Sequence, residues 1–189
     1  MRKLIMTANN LLDELKSELA ILFSDYTLPN KNGVLQLVKI FTQYIPLPSS
    51  ITLTDKLTGI KNYESNDYEA NFPSIIIRHE GLIDNEERRL EMSTHKIKLL
   101  FGIYDDAVEC QGWRDLFSMI EVVRQYFLVN RILSGKYRLN MPLDTHLLDA
   151  DSWPVYFAEM NMTFESGRAL QPALFVHRRN EQLAGKKRE

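Results

Sequence analysis

The sequence predicts an α+β fold in which helices pack on one face of a mainly antiparallel sheet of about four strands. Three observations lead there. Leucines recur at spacings of three and four near the N-terminus, the stripe of a helix with one buried face. Three consecutive isoleucines at 75–77 suit an extended strand covered on both faces. Apolar and polar residues alternate over 94–104 and 154–165, the pattern of strands with a single buried face. The expected order is helix, helix, strand, strand, helix, strand, strand.

The first helix spans about 9–23, with Leu11, Leu12, Leu15, Leu19 and Leu22 inward. After the turn-rich Leu28-Pro29-Asn30-Lys31-Asn32-Gly33, residues Val34, Leu35, Leu37, Val38, Phe41 and Tyr44 fit helical spacing, although their β-branched content also permits a strand. Phe72-Pro73-Ser74-Ile75-Ile76-Ile77-Arg78 reads as a central strand. The polar stretch 81–91 then reads as a long charged loop leading to an antiparallel partner at 94–104, where Ile97, Leu99, Phe101 and Ile103 face inward. The helix at about 113–129 carries Trp113, Leu116, Phe117, Ile120, Val123 and Phe127 on one face, and Asp115 sits where a carboxylate suits the positive end of a helix. A short strand at 137–142 follows. In the last strand Tyr156, Ala158, Met160, Met162 and Phe164 share one face, opposite Glu159, Asn161, Thr163 and Glu165.

These elements divide the chain into an N-terminal helical segment at 1–45 that packs on the sheet, a long loop at 46–71, an α/β core at 72–166 and a polar, mobile tail at 167–189. At 189 residues, 44% hydrophobic and 25% charged, the chain is one globular domain. Its 23 basic and 25 acidic residues leave a net charge of −2, so no overall positive field holds nucleic acid. The single Cys110 excludes an internal disulfide and suits a reducing compartment. Thr7, Asn9 and Asn10 interrupt the N-terminal apolar patch before it resembles a secretory signal, and no apolar run approaches the roughly 18 residues of a membrane span. The expectation is a soluble, cytosolic product.

Catalytic chemistry is sparse. His79, His95, His146 and His177 form no metal-ligand array, although His79 and His95 sit at the ends of neighbouring strands and can meet across the ladder. Asp105, Asp106 and Glu109 cluster between a strand and a helix. They read as a solvated turn at a helix start, with a weak divalent-cation site as the sharper alternative. Glu109 and Gln111 beside Cys110 disfavour a thiolate. Ser49, Ser50, Ser74 and Ser93 lie in no nucleophile elbow. Tyr126, Phe127, Tyr137, Trp153, Tyr156 and Phe157 follow core periodicity without a basic surround, which favours packing over base stacking. No catalytic, cofactor or metal site is expected. The mixed-sign loop of Asp84, Glu86, Glu87, Arg88 and Arg89 is either a solvated hairpin loop or a set of contacts between subunits or along a lumen.

The stretch 72–165 resembles the tail-terminator, or tail-completion, proteins of long-tailed bacteriophages and prophages. The resemblance lies in the order and spacing of five pieces: Phe72-Pro73-Ser74-Ile75-Ile76-Ile77-Arg78; Ile97-Lys98-Leu99-Leu100-Phe101-Gly102-Ile103-Tyr104-Asp105; Gly112-Trp113-Arg114-Asp115-Leu116; Tyr137-Arg138-Leu139 after Leu133-Ser134-Gly135; and Trp153-Pro154-Val155-Tyr156-Phe157 running to Met162-Thr163-Phe164-Glu165. It implies a non-enzymatic virion protein, made in the host cytoplasm and built into the tail as a homo-oligomer, typically a hexamer ring. Such a ring meets the major tail tube protein, ends its polymerisation, and prepares joining to the connector proteins of the head, with DNA passing through. Unpaired sheet edges covered by neighbouring copies fit this reading independently. The alternatives are a head-tail connector or adaptor of the same particle, and, from another class, a small metal-dependent cytosolic enzyme using Asp105, Asp106 and Glu109.

Overall fold

The structure is a computed structural model that describes residues 8–46, 69–85, 92–109, 111–148 and 153–167. Helix α1 (Ala8–Leu22) buries Leu11, Leu12, Leu15 and Leu19 along one side. The chain then forms a hairpin of β1 (Thr27–Pro29) and β2 (Leu35–Leu37). Its turn is closed by Asn30, whose Oδ1 accepts the backbone N–H groups of Asn32 and Val34 at 2.9 and 3.1 Å. Gly33 supplies the left-handed φ of +72° that this reversal needs.

Seven further elements follow: β3 (Lys39–Thr42), β4 (Ser74–Asn85), β5 (Met92–Tyr104), α2 (Gly112–Val129), β6 (Ile132–Leu133), β7 (Tyr137–Leu147) and β8 (Val155–Gly167). Strands β3 to β8 form one sheet in the order β3-β4-β5-β8-β7-β6. The β3–β4 pair is parallel and the other pairs are antiparallel. Helix α1 packs over β3 and β4, and α2 over β5 and β8. In register, Ile77, Leu99 and Met160 form one row of the core, and Ile75, Phe101 and Ala158 the next. The opposite face is largely polar, with Lys98 lying between Glu80 and Glu159 at 3.0 and 3.1 Å.

This architecture corrects the expected fold class. The described residues hold only two helices, and the sheet has six strands of mixed direction in place of about four antiparallel ones, with a two-stranded hairpin besides. The second helix expected over 34–44 is instead β2 and β3. Of the apolar residues expected on its face, Val34, Leu35, Leu37 and Tyr44 are exposed, Phe41 is half-buried and Val38 alone is buried. The edge of β4 offers backbone partners that a helix would leave unused: Lys39 N–H donates to Pro73 O at 3.0 Å and Gln43 N–H to Ile77 O at 2.8 Å.

Part of the expected charged loop at 81–91 is strand as well. Pairing of β4 with β5 continues past an irregularity between His79 and Gly81 as far as Asn85 opposite Met92. Strand β7 outruns the expected 137–142 through a second irregularity between Asn140 and Asp144, which accommodates Pro142. On α2, Leu116, Met119, Ile120, Val123 and Phe127 are buried. Trp113 and Phe117 stay partly exposed at its margin, edge to face at 6.0 Å with Arg114 over the indole. Among the described residues no helix is long and apolar enough to cross a membrane. Most of the expected 46–71 loop and nearly all of the expected tail lie outside the described residues.

Candidate functional site

Among the described residues, the two borders of the six-stranded sheet leave backbone groups without a neighbouring strand. Strand β6 covers only Tyr137 and Arg138 of β7, and Leu139 N–H adds one bond to Arg131 O at 2.8 Å. Beyond that point the outer side of β7 has no neighbouring strand among the described residues. Leu148 N–H donates inward to Phe157 O at 3.1 Å, and antiparallel pairing alternates, so the N–H groups of Thr145 and Leu147 face outward. At the opposite border, Lys39 and Gln43 donate inward to β4, which turns the N–H groups of Ile40 and Thr42 outward.

Both borders carry exposed apolar side chains. Met141, Leu147 and Leu148 flank the β7 edge, and Leu37 and Tyr44 flank the β3 edge, with Tyr44 75% exposed. Following strand direction across the sheet, β7 runs opposite to β3. The β7 edge of one copy beside the β3 edge of another therefore continues the sheet with an antiparallel pair. Because the two edges differ, this contact is heterologous and repeats from copy to copy.

The residues singled out in the sequence fall elsewhere. Asp84 ends β4, where Ser93 Oγ donates to its Oδ1 at 2.6 Å. Glu86, Glu87, Arg88 and Arg89 lie outside the described residues, as do Cys110, His177, Ser49 and Ser50. Asp105 Oδ1 accepts the Ala107 N–H at 3.0 Å, which makes the acidic cluster a local turn. Burial, with Asp105 adding repulsion, holds the Asp115 carboxyl above the usual range. Among the described residues no group of three or more His, Cys, Asp or Glu side chains is placed to hold a metal ion. Of the aromatics, Phe127 and Tyr137 are buried in the core, while Tyr126 donates its hydroxyl to Glu18 Oε2 at 2.6 Å and ties α2 to α1.

His79 and His95 do meet, with Nε2 and Nδ1 3.3 Å apart, and their rings lie edge to face at 5.5 Å. The contact is interior: His95 is 2% exposed, and its other ring nitrogen lies 3.1 Å from Ser166 Oγ. Burial holds both imidazoles below the usual histidine range, and for His95 the neighbouring His79 adds to the shift while Asp84 opposes it. Both shifts favour the neutral form of the rings. Ser166, also 2% exposed, is the member that sequence reasoning missed. The signal was present, because the inward series 156, 158, 160, 162, 164 on β8 continues to 166. With its hydroxyl closed off from solvent, this Ser–His–His chain acts as a polar tie across β4, β5 and β8.

No protein-family model matches the chain, and no curated protein matches it.

Proposed function

We propose that the chain is a structural subunit of a phage or prophage tail that assembles into a ring, caps the tail tube, ends its polymerisation and prepares head-tail joining. The single observation that carries this reading is the pair of unlike sheet edges that no strand covers among the described residues. Their opposite strand directions let identical copies add head to tail, and exposed apolar side chains line both. A long unpaired edge is an aggregation hazard in a solitary protein, and closure into a ring removes it. The resemblance of 72–165 to tail terminators supplies the biological setting. In it the partners are further copies of the chain, the tail tube protein and the connector proteins, and the ring is hexameric.

Two measurements test the proposal. Sedimentation of the purified chain over a concentration series should reveal a discrete closed oligomer, and a solitary species at every concentration refutes ring formation. Electron microscopy of particles assembled without the protein should show abnormally long tubes. Tubes of normal length that lack heads would assign the joining role of a connector instead.

A further inference from the structure

At one end of the open sheet face, the polar surface gives way to a recess of about 250 Å³. Phe72, Ile76, Leu100 and Phe157 form its apolar walls, and Ser74 and Arg78 line it from β4. These two residues carry an anomaly. Ser74 is 1% exposed, and among the described residues neither its Oγ nor the Nε of Arg78 has a hydrogen-bond partner, although both atoms are buried. Buried polar groups are almost always paired, and an orphan in a native fold calls for an explanation. Directly opposite Arg78 in the β4–β5 register, Lys98 shows the ordinary solution, with a carboxylate on each side.

Ser74 and Arg78 are four positions apart on one face of β4, so their Cα atoms are about 13 Å apart at strand rise, with Ile76 between them. The recess thus has an apolar middle and a polar group from each of two points along the strand. Arg78 offers a charged N–H donor, which is best met by a carboxylate. Ser74 offers a hydroxyl that can donate or accept, which suits a second, neutral polar group. The volume is just under the roughly 300–1,000 Å³ of drug-sized sites, so the ligand is small. From this we infer that the recess is a binding site for a small monocarboxylate with an apolar, ring-sized body and a hydroxyl at the far end. The carboxylate pairs with Arg78, the body lies over Ile76 between Leu100 and Phe157, and the hydroxyl meets Ser74. The site lies on the sheet face and shares one wall residue, Leu148, with the flank of the β7 edge proposed for assembly, whereas Ser74 and Arg78 lie on β4.

The test uses 3-(4-hydroxyphenyl)propanoate as the probe, titrated calorimetrically into the full chain beside its uncharged amide and the unhydroxylated 3-phenylpropanoate. Saturable binding of the acid is expected, with the amide weaker by about tenfold or more, the span of a charge-assisted hydrogen bond. The phenyl compound should be weaker by about fivefold, one neutral hydrogen bond. R78M should erase the preference for acid over amide, and S74A the preference for the hydroxylated compound. Thermal melts confirm that each variant is folded, and the wild-type comparison of acid with amide stands without them. Absence of binding up to the solubility limit overturns the inference. So does equal binding of acid and amide, or an acid preference that survives in folded R78M.

Discussion

Replacing Thr145 by proline separates the subunit's own stability from its capacity to assemble. Thr145 pairs with Met160 on β8, but its N–H faces away from β8. Proline there removes no hydrogen bond within the subunit, and the extended backbone that proline requires of the preceding residue is the one a strand already supplies. Subunit stability should therefore change by less than about 1 kcal/mol, the range of tolerated edge substitutions. Between copies the loss is larger. The missing donor leaves an acceptor on the facing β3 edge without a partner, at a cost of about 1–3 kcal/mol, and the pyrrolidine ring obstructs close approach. At 1.4 kcal/mol per decade, each contact should weaken by roughly fivefold to more than a hundredfold, and every subunit of a closed ring makes two such contacts. Sedimentation velocity of T145P should thus show monomer at concentrations where the parent chain is oligomeric, while urea midpoints of the monomeric species agree. An unchanged oligomer distribution in a normally folded T145P protein refutes pairing through the β7 edge.

Acid should destabilise the fold through the half-buried His79 and the buried His95. Both imidazoles have folded-state values depressed below the unfolded one, so below about pH 6.5 the unfolded chain binds more protons, and stability falls as pH falls through that window. Urea midpoints between neutral and mildly acidic pH check this, and H95L should flatten the slope. Y126F removes the phenolic hydroxyl, which the hydrogen bond to Glu18 holds pushed up to about 12. It should cost about 1 kcal/mol in urea melts, after allowance for the partial exposure of the pair. G102A would place a Cβ 2.4 Å from Cε1 of the fully buried Phe72, so it should destabilise by about 1–3 kcal/mol through overpacking. A melting temperature equal to the parent's contradicts that packing.

Where burial and periodicity coincide, the sequence was legible. The leucines of α1, the alternation of β5 and β8 and, on α2, Leu116, Ile120, Val123 and Phe127 lie where spacing placed them, because each buries one face against the same core, whereas Trp113 and Phe117 of the expected α2 face are exposed. Residues 34–44 were not legible in the same way, since their apolar side chains fit two periods and several remain exposed. Among the residues singled out for chemistry, the meeting of His79 and His95 could be anticipated from strand ends. Its burial and its link to Ser166 depended on register across three strands.

Taken alone, the sequence determined which side chains could be covered: leucine stripes and alternating strands dictate local structure through the free energy of removing carbon from water, whatever lies across the core. Tertiary structure decided what covers what. Backbone hydrogen bonding carries no side-chain signature, so the recruitment of residues 39–42 to the border of β4 and, among the described residues, the uncovered outer side of β7 and the two unpaired atoms of Ser74 and Arg78 emerge only once the strands are set side by side.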